Sequence, residues 1–224
     1  MIQFKSPIKQ HSGLRVAVSQ SFGVNPQFYS KFKDDYGNPL IGHNGVDLKL
    51  GYDPRQSYGT DINFICEGKV IQTVWDNPMS TKGNGVYQDS LEWVGVDNKL
   101  RFLKIAYWHF MDVDVKVGQD VTPENNAGDM GNSGIVFPEP NPSQPYVGTH
   151  LHLGVYPYIS ENGIWKKEFP NNGYDGAVDP LQFIIDLNPS DWVKKRDILE
   201  WIGELLEPIK WFINKIKEAI NSLK

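Results

Sequence analysis

Five histidines occur in the 224 residues, and four of them fall in three short patterns. The first, Gly42-His43-Asn44-Gly45-Val46-Asp47, sets an imidazole and a carboxylate four residues apart across a glycine. The second is Tyr107-Trp108-His109, and the third is Thr149-His150-Leu151-His152-Leu153. On a strand alternate side chains share a face, so His150 and His152 point one way while Leu151 and Leu153 point into the core. Two imidazoles side by side lose hydration if buried and repel each other if both are charged. A metal relieves that conflict by taking neutral imidazole as a ligand. A glycine at Gly45 permits a tight bend, which lets His43 and Asp47 converge on one point.

Taken together, two histidines and one carboxylate suffice for a zinc site that keeps its fourth position for water, the arrangement of a hydrolase rather than of a structural site. Two further histidines then remain for proton transfer or for holding a developing oxyanion. No serine or cysteine nucleophile competes. Gly-x-Ser-x-Gly is absent, and Cys66, the single cysteine, has no histidine near it in sequence and reads as a small buried residue of a strand. His11, in the polar N-terminal segment, reads as surface. An iron oxygenase also uses two histidines and a carboxylate, but its usual first pair is His-x-Asp. A cupin needs a glutamate shortly after its His-x-His strand, where Tyr156 and Pro157 stand.

The segments that must position these groups are short. The 224 residues include 21 Gly and 15 Pro, most of them before residue 188, and they cut that part of the chain into pieces rich in β-branched and aromatic residues. Phe64 to Trp75 reads as two strands or one bent strand. Leu91 to Val96 and Leu100 to His109 flank Asp97-Asn98-Lys99, a tight hairpin turn. Val113 to Val121 and Thr149 to Val155 add further strands. No helical period of useful length occurs before residue 180, so residues 1–188 are expected to be mainly β.

Residues 189–224 have a different texture. Ile198, Ile202, Leu205, Ile209, Phe212, Ile216, Ala219 and Leu223 follow the steps of one helical face, and Leu199, Leu206, Ile213 and Ile220 widen the stripe. Ser190 and Asp191 suit the start of that helix, and Pro208 is expected to kink or divide it. Trp201, Trp211 and Phe212 among lysines suit a membrane surface. The tail's nearly balanced charge instead favours contact with protein, a second copy or a partner.

The ordered set His43-x-x-x-Asp47, Tyr107-x-His109 and His150-x-His152 resembles that of the lysostaphin-like (LytM-type) zinc metallopeptidases, which cut peptidoglycan cross-links. The surroundings are similar as well, over about residues 18 to 188. Ser21-Phe22-Gly23 resembles the family's leading strand, and Glu67-Gly68-Lys69-Val70 its Gly-x-Val hairpin position. Val115 to Val121 with Gly131-Asn132-Ser133-Gly134 resembles the segment before its His-x-His strand, and Asp179-Pro180-Leu181 its closing motif. The resemblance implies an antiparallel β-sheet fold of the duplicated hybrid motif, with a groove over the sheet and the helical tail as an addition. It implies zinc bound by His43, Asp47 and His152, with His109 and His150 as the catalytic pair that activates water and stabilises the tetrahedral intermediate. Two stretches depart from the family pattern. Ile135 to Thr149 is longer and richer in proline, fit to form one wall of the groove, and Tyr52 to Ile62 is a longer link.

Lys+Arg 22 against Asp+Glu 27 leaves a net charge of -5, so no basic footprint for nucleic acid is visible. No run of signal-peptide length opens the sequence, since Lys5, Lys9 and Arg15 interrupt it, and no stretch approaches a membrane span. A cell-wall substrate without a signal peptide makes a bacteriophage virion component, or another delivery route, the expectation. The alternative to a peptidase is a catalytically silent structural or regulatory protein that retains the fold. Such relatives usually lose metal ligands, whereas all five positions are filled here.

Overall fold

The computed structural model describes residues 4–9, 14–75 and 80–184. The helical tail expected over 189–224, the domain boundary before it, and His11 lie outside the described residues.

In chain order the elements are β1 (Val16–Gln20), α1 (Pro26–Tyr29), β2 (Val46–Leu50), α2 (Pro54–Ser57), β3 (Asp61–Asn63), β4 (Gly68–Val74) and β5 (Asn84–Ser90). Then come β6 (Trp93–Val94), β7 (Leu100–Val113), β8 (Asp120–Val121), β9 (Asn126–Met130), β10 (Leu151–Glu161) and β11 (Ile164–Lys167). The strands hydrogen-bond in the order β1-β2-β10-β7-β5-β4-β8, with β11 on β10, β6 and β9 on β7, and β3 on β9. Every pairing among these strands is antiparallel. The mainly β expectation therefore holds.

β2, β10 and β7 form the middle of the sheet and carry the site. Val46, Leu48, Leu151, Leu153, Val155, Ile105 and Tyr107 are fully buried on them, so hydrophobic burial fixes their register, because a one-residue slip would turn every side chain to the wrong face. Behind β7 the Tyr107 hydroxyl donates to Gln88 Oε1 at 2.8 Å and accepts from the Ile65 amide at 3.0 Å, while Gln88 Nε2 donates to the Cys66 carbonyl at 2.7 Å. This satisfied polar triad ties β5 and the segment before β4 to the back of the strand that bears His109.

Several sequence expectations shift. The strand expected over Phe64 to Trp75 begins only at Gly68, so Cys66 is buried in a bend rather than in a strand. Val113 to Val121 is mostly irregular, and the pairing there falls to β8 and β9 instead. The leading strand is β1, which ends before Ser21. The Asp97-Asn98-Lys99 hairpin is present but joins β7 to the two-residue β6. The principal partner of β7 on that side is β5, whose Asn-Gly-Val-Tyr-Gln-Asp-Ser sequence carries few β-branched residues and gives little strand signal.

Candidate metal centre

One row of the sheet builds the core of the site. Antiparallel pairing sets His152 opposite Asp47 on one side and opposite Trp108 on the other. Asp47 Oδ1 lies 3.2 Å from His152 Nδ1, and the Trp108 indole stacks on the imidazole with centroids 4.4 Å apart and planes within 6°. His43 arrives from the loop before β2. Its backbone is paired with Gly23 and Val24, and its Nδ1 donates to the Ser21 carbonyl at 3.1 Å. That bond fixes the tautomer, leaving the Nε2 lone pair facing inward, 2.9 Å from His152 Nδ1 and 3.3 Å from Asp47 Oδ1.

Gly45 is required here for a different reason from the expected bend. Its φ is ordinary, but a Cβ on it would stand 2.6 Å from the His152 ring and from the Leu153 carbonyl. The glycine leaves room for the imidazole.

His109 is held by a bulge, within β7 rather than at its end as the sequence suggested. Asn84 pairs with Phe110 and Gly85 with Trp108, so His109 is the extra residue. Its φ is 68°, a left-handed conformation that a histidine adopts only when its surroundings impose it. The Lys82 carbonyl accepts from its amide at 3.2 Å, and its own carbonyl accepts from Gly131 at 3.0 Å. As a consequence the adjacent side chains of Trp108 and His109 both line one cleft, which regular strand alternation forbids. Ser133 supports this twist: its hydroxyl donates to the Phe110 carbonyl at 2.7 Å, and its carbonyl accepts from His109 Nδ1 at 2.8 Å.

His150 precedes β10 and donates from Nδ1 to the Gly148 carbonyl at 2.7 Å. Its Nε2 lies 3.7 Å from Asp47 Oδ1, and its ring centroid 4.5 Å from that of His109. The backbone bonds leave Nε2 of both His109 and His150 without a proton when the rings are neutral. All five sequence-predicted residues thus meet in one place, with Leu151 and Leu153 fully buried on the other face.

The electrostatics suit a cation. Burial pushes His152 down to about 4, and burial with His150 and His152 alongside holds His109 well below the usual imidazole range. Burial alone would raise Asp47, yet the facing imidazoles of His150 and His43 hold it well below the usual carboxylate range. A neutral His152 beside an ionised Asp47 is the pair of ligand states a divalent metal needs. One atom from each of His43, Asp47 and His152 lies within 4.8 Å of the others, a group that can hold a metal. The donor set fits: the inward His43 Nε2 carries no proton, so two ring nitrogens and a carboxylate oxygen converge with at most one hydrogen among them. Two nitrogens, one oxygen and room for a further ligand match zinc.

The centre lies on the floor of a cleft with two halves that share Phe28, Tyr29, Ile135, His109 and His152. One half, of about 250 Å³, runs past Trp108, Tyr156 and Lys82; the other, of about 400 Å³, runs past Gln20, His150 and Phe137. Ile135, Val136 and Phe137 of the proline-rich stretch do line a wall, and Phe137 meets Phe28 edge-on at 5.5 Å. Tyr29 lies outside every sequence motif, yet it stacks on His43 at 5.0 Å and accepts from Gln20 Nε2 at 2.7 Å. Asn25-Pro26, which starts α1 with Pro26 in the first turn, is the only local signal that could have placed it.

No protein-family model matches the chain, and no curated protein matches it. Among solved structures, it is similar to a zinc-containing peptidase from Vibrio cholerae, at 21% identity and a TM-score of 0.43 over 69% of this chain. The chain covers 37% of that protein's length. It is also similar to the catalytic domain of the antimicrobial peptidase lysostaphin from Staphylococcus simulans, at 20% identity and a TM-score of 0.39 over 71% of this chain and 96% of that one. LytU is similar at 21% identity and a TM-score of 0.46, over 82% of this chain and 92% of its own. Among the described residues no helix is long and apolar enough to cross a membrane.

Proposed function

We propose that the chain is a zinc metallopeptidase of the lysostaphin-like type, hydrolysing peptide cross-links of bacterial peptidoglycan at the cell wall. One observation carries this reading: His43 Nε2, Asp47 Oδ1 and His152 Nδ1 converge at the floor of a cleft, with a second imidazole pair, His109 and His150, beside them. His43, Asp47 and His152 would hold the zinc ion. When bound, zinc polarises a peptide carbonyl and brings the pKa of water near 7.

The remaining chemistry belongs to the side chains. With Nδ1 bonded to the Ser133 carbonyl, His109 takes a proton at Nε2 only, and His150, bonded to the Gly148 carbonyl, does the same. A proton taken from attacking water by one ring passes to the leaving amine, and the protonated ring stabilises negative charge on the former carbonyl oxygen. Trp108 covers His152 and excludes water from that side, and Tyr29 does so for His43. The neutral His109 that burial enforces is the form able to accept the proton.

The test is digestion of purified peptidoglycan with the zinc-loaded chain. Release of new amine termini, abolished by a chelator and restored by added zinc, supports the reading. No release from walls of any bridge chemistry, with zinc bound, contradicts it and favours the silent scaffold.

A further inference from the structure

The two halves of the cleft differ in charge. The half beside Trp108 is lined by Lys82, Lys33 and a single carboxylate, Asp175. Asp175 is already engaged, since its Oδ1 accepts from Lys167 Nζ at 2.6 Å and from the Asp35 amide at 3.2 Å. Lys82 and Lys33 form no ion pair among the described residues. Lys82 is nonetheless held in place: its ammonium stands 4.9 Å from the Trp108 ring centre and 5.7 Å from that of Tyr87. Trp108 in turn stacks on His152. A cation therefore waits one aromatic ring away from the candidate ligand His152, anchored by its ring contacts and lacking a counter-ion among the described residues.

We infer that Lys82, with Lys33 on the same side, binds a carboxylate of the substrate next to the scissile bond, so that the cleft selects anionic cross-links over uncharged ones. This rests on the peptidase reading. A D-alanyl link to diaminopimelate carries a free carboxylate beside the amide that would be cut, and a glycine bridge carries none. Ring contacts satisfy an exposed ammonium only in part, whereas a carboxylate forms a charge-assisted hydrogen bond with it. Holding Lys82 against two rings also lowers the entropy lost when the anion binds.

The test uses a matched pair of cross-link peptides, one with the diaminopimelate carboxylate free and one with it amidated. Binding is measured calorimetrically on the zinc-loaded His109→Ala chain, and cleavage by the unsubstituted chain is followed in parallel. The carboxylate peptide should bind about tenfold more tightly than its amide twin at low salt, and the gap should narrow as salt is added. Lys82→Gln should bring the two within about twofold without weakening the amide, and Lys82→Arg should keep most of the preference. Equal affinities, or a preference that survives Lys82→Gln combined with Lys33→Gln, overturns the assignment, whatever the cleavage assay shows. Selective binding with no cleavage of either peptide leaves the carboxylate site standing and overturns the peptidase reading alone.

Discussion

Asp47 and His152 face each other directly across the β2–β10 pairing, with Oδ1 and Nδ1 3.2 Å apart. Residues more than a hundred positions apart become metal-site neighbours through sheet register, and Leu48 and Leu151, paired one step along and fully buried, lock that register. His152→Ala should therefore abolish stoichiometric zinc binding and peptidoglycan cleavage together while circular dichroism stays unchanged. Asp47→Ala should do the same. Full metal content in either variant, by elemental analysis, would remove the residue from the ligand set.

His109 contacts neither Asp47 nor His43 through a hydrogen bond or ion pair, so His109→Ala should keep its zinc. Its loss of proton transfer and oxyanion stabilisation should lower kcat by about 10²–10³, or ~3–4 kcal/mol of barrier. Steady-state kinetics beside elemental analysis separates the two effects, and undiminished turnover would exclude the role given to it.

Gly45→Ala places a methyl group against the His152 ring. The ring must shift, so zinc affinity should fall by at least about tenfold, read by competition with a chromophoric chelator. An unchanged affinity would show that the loop before β2 yields instead.

Acid should unfold the metal-free chain early. His152 lies at about 4 in the fold because of burial, against about 6.5 when unfolded. Between those values the unfolded state binds more protons, so stability falls as pH drops through that window. Asp47, held low, loses its own contribution only at still lower pH. The melting temperature of the metal-free chain should decline from pH 6.5 towards 4, and less steeply in His152→Asn. A flat profile would contradict the buried neutral imidazole.

Cys66 is fully buried, and burial with Glu67 nearby pushes its thiol up to about 12. Thiolate is the reactive form, so iodoacetamide should label Cys66 only after denaturation, and cleavage activity should survive treatment of the native chain.

The chemistry was legible because metal ligation demands particular residue types, and the His-x-His alternation already implied one shared face for His150 and His152. The mainly β character followed from short segments punctuated by Gly and Pro. What stayed hidden depends on tertiary contact. The His109 bulge arises from pairing with β5 and from the Ser133 loop, neither of which marks the residues around it. Tyr29 and Lys82 enter the cleft from loops, where no periodicity reveals which way a side chain faces. Gly45 was singled out correctly but for the wrong cause, since its value lies in a neighbour from a distant strand.

Ligation of one zinc ion by His43, Asp47 and His152 can be read directly by zinc anomalous diffraction from crystals of the zinc-loaded chain. One zinc ion should lie bonded to His43 Nε2, Asp47 and His152 Nδ1 at about 2.0–2.2 Å, with His109 and His150 outside its ligand set. A zinc bound elsewhere, or these three side chains turned apart with no metal between them, would contradict it.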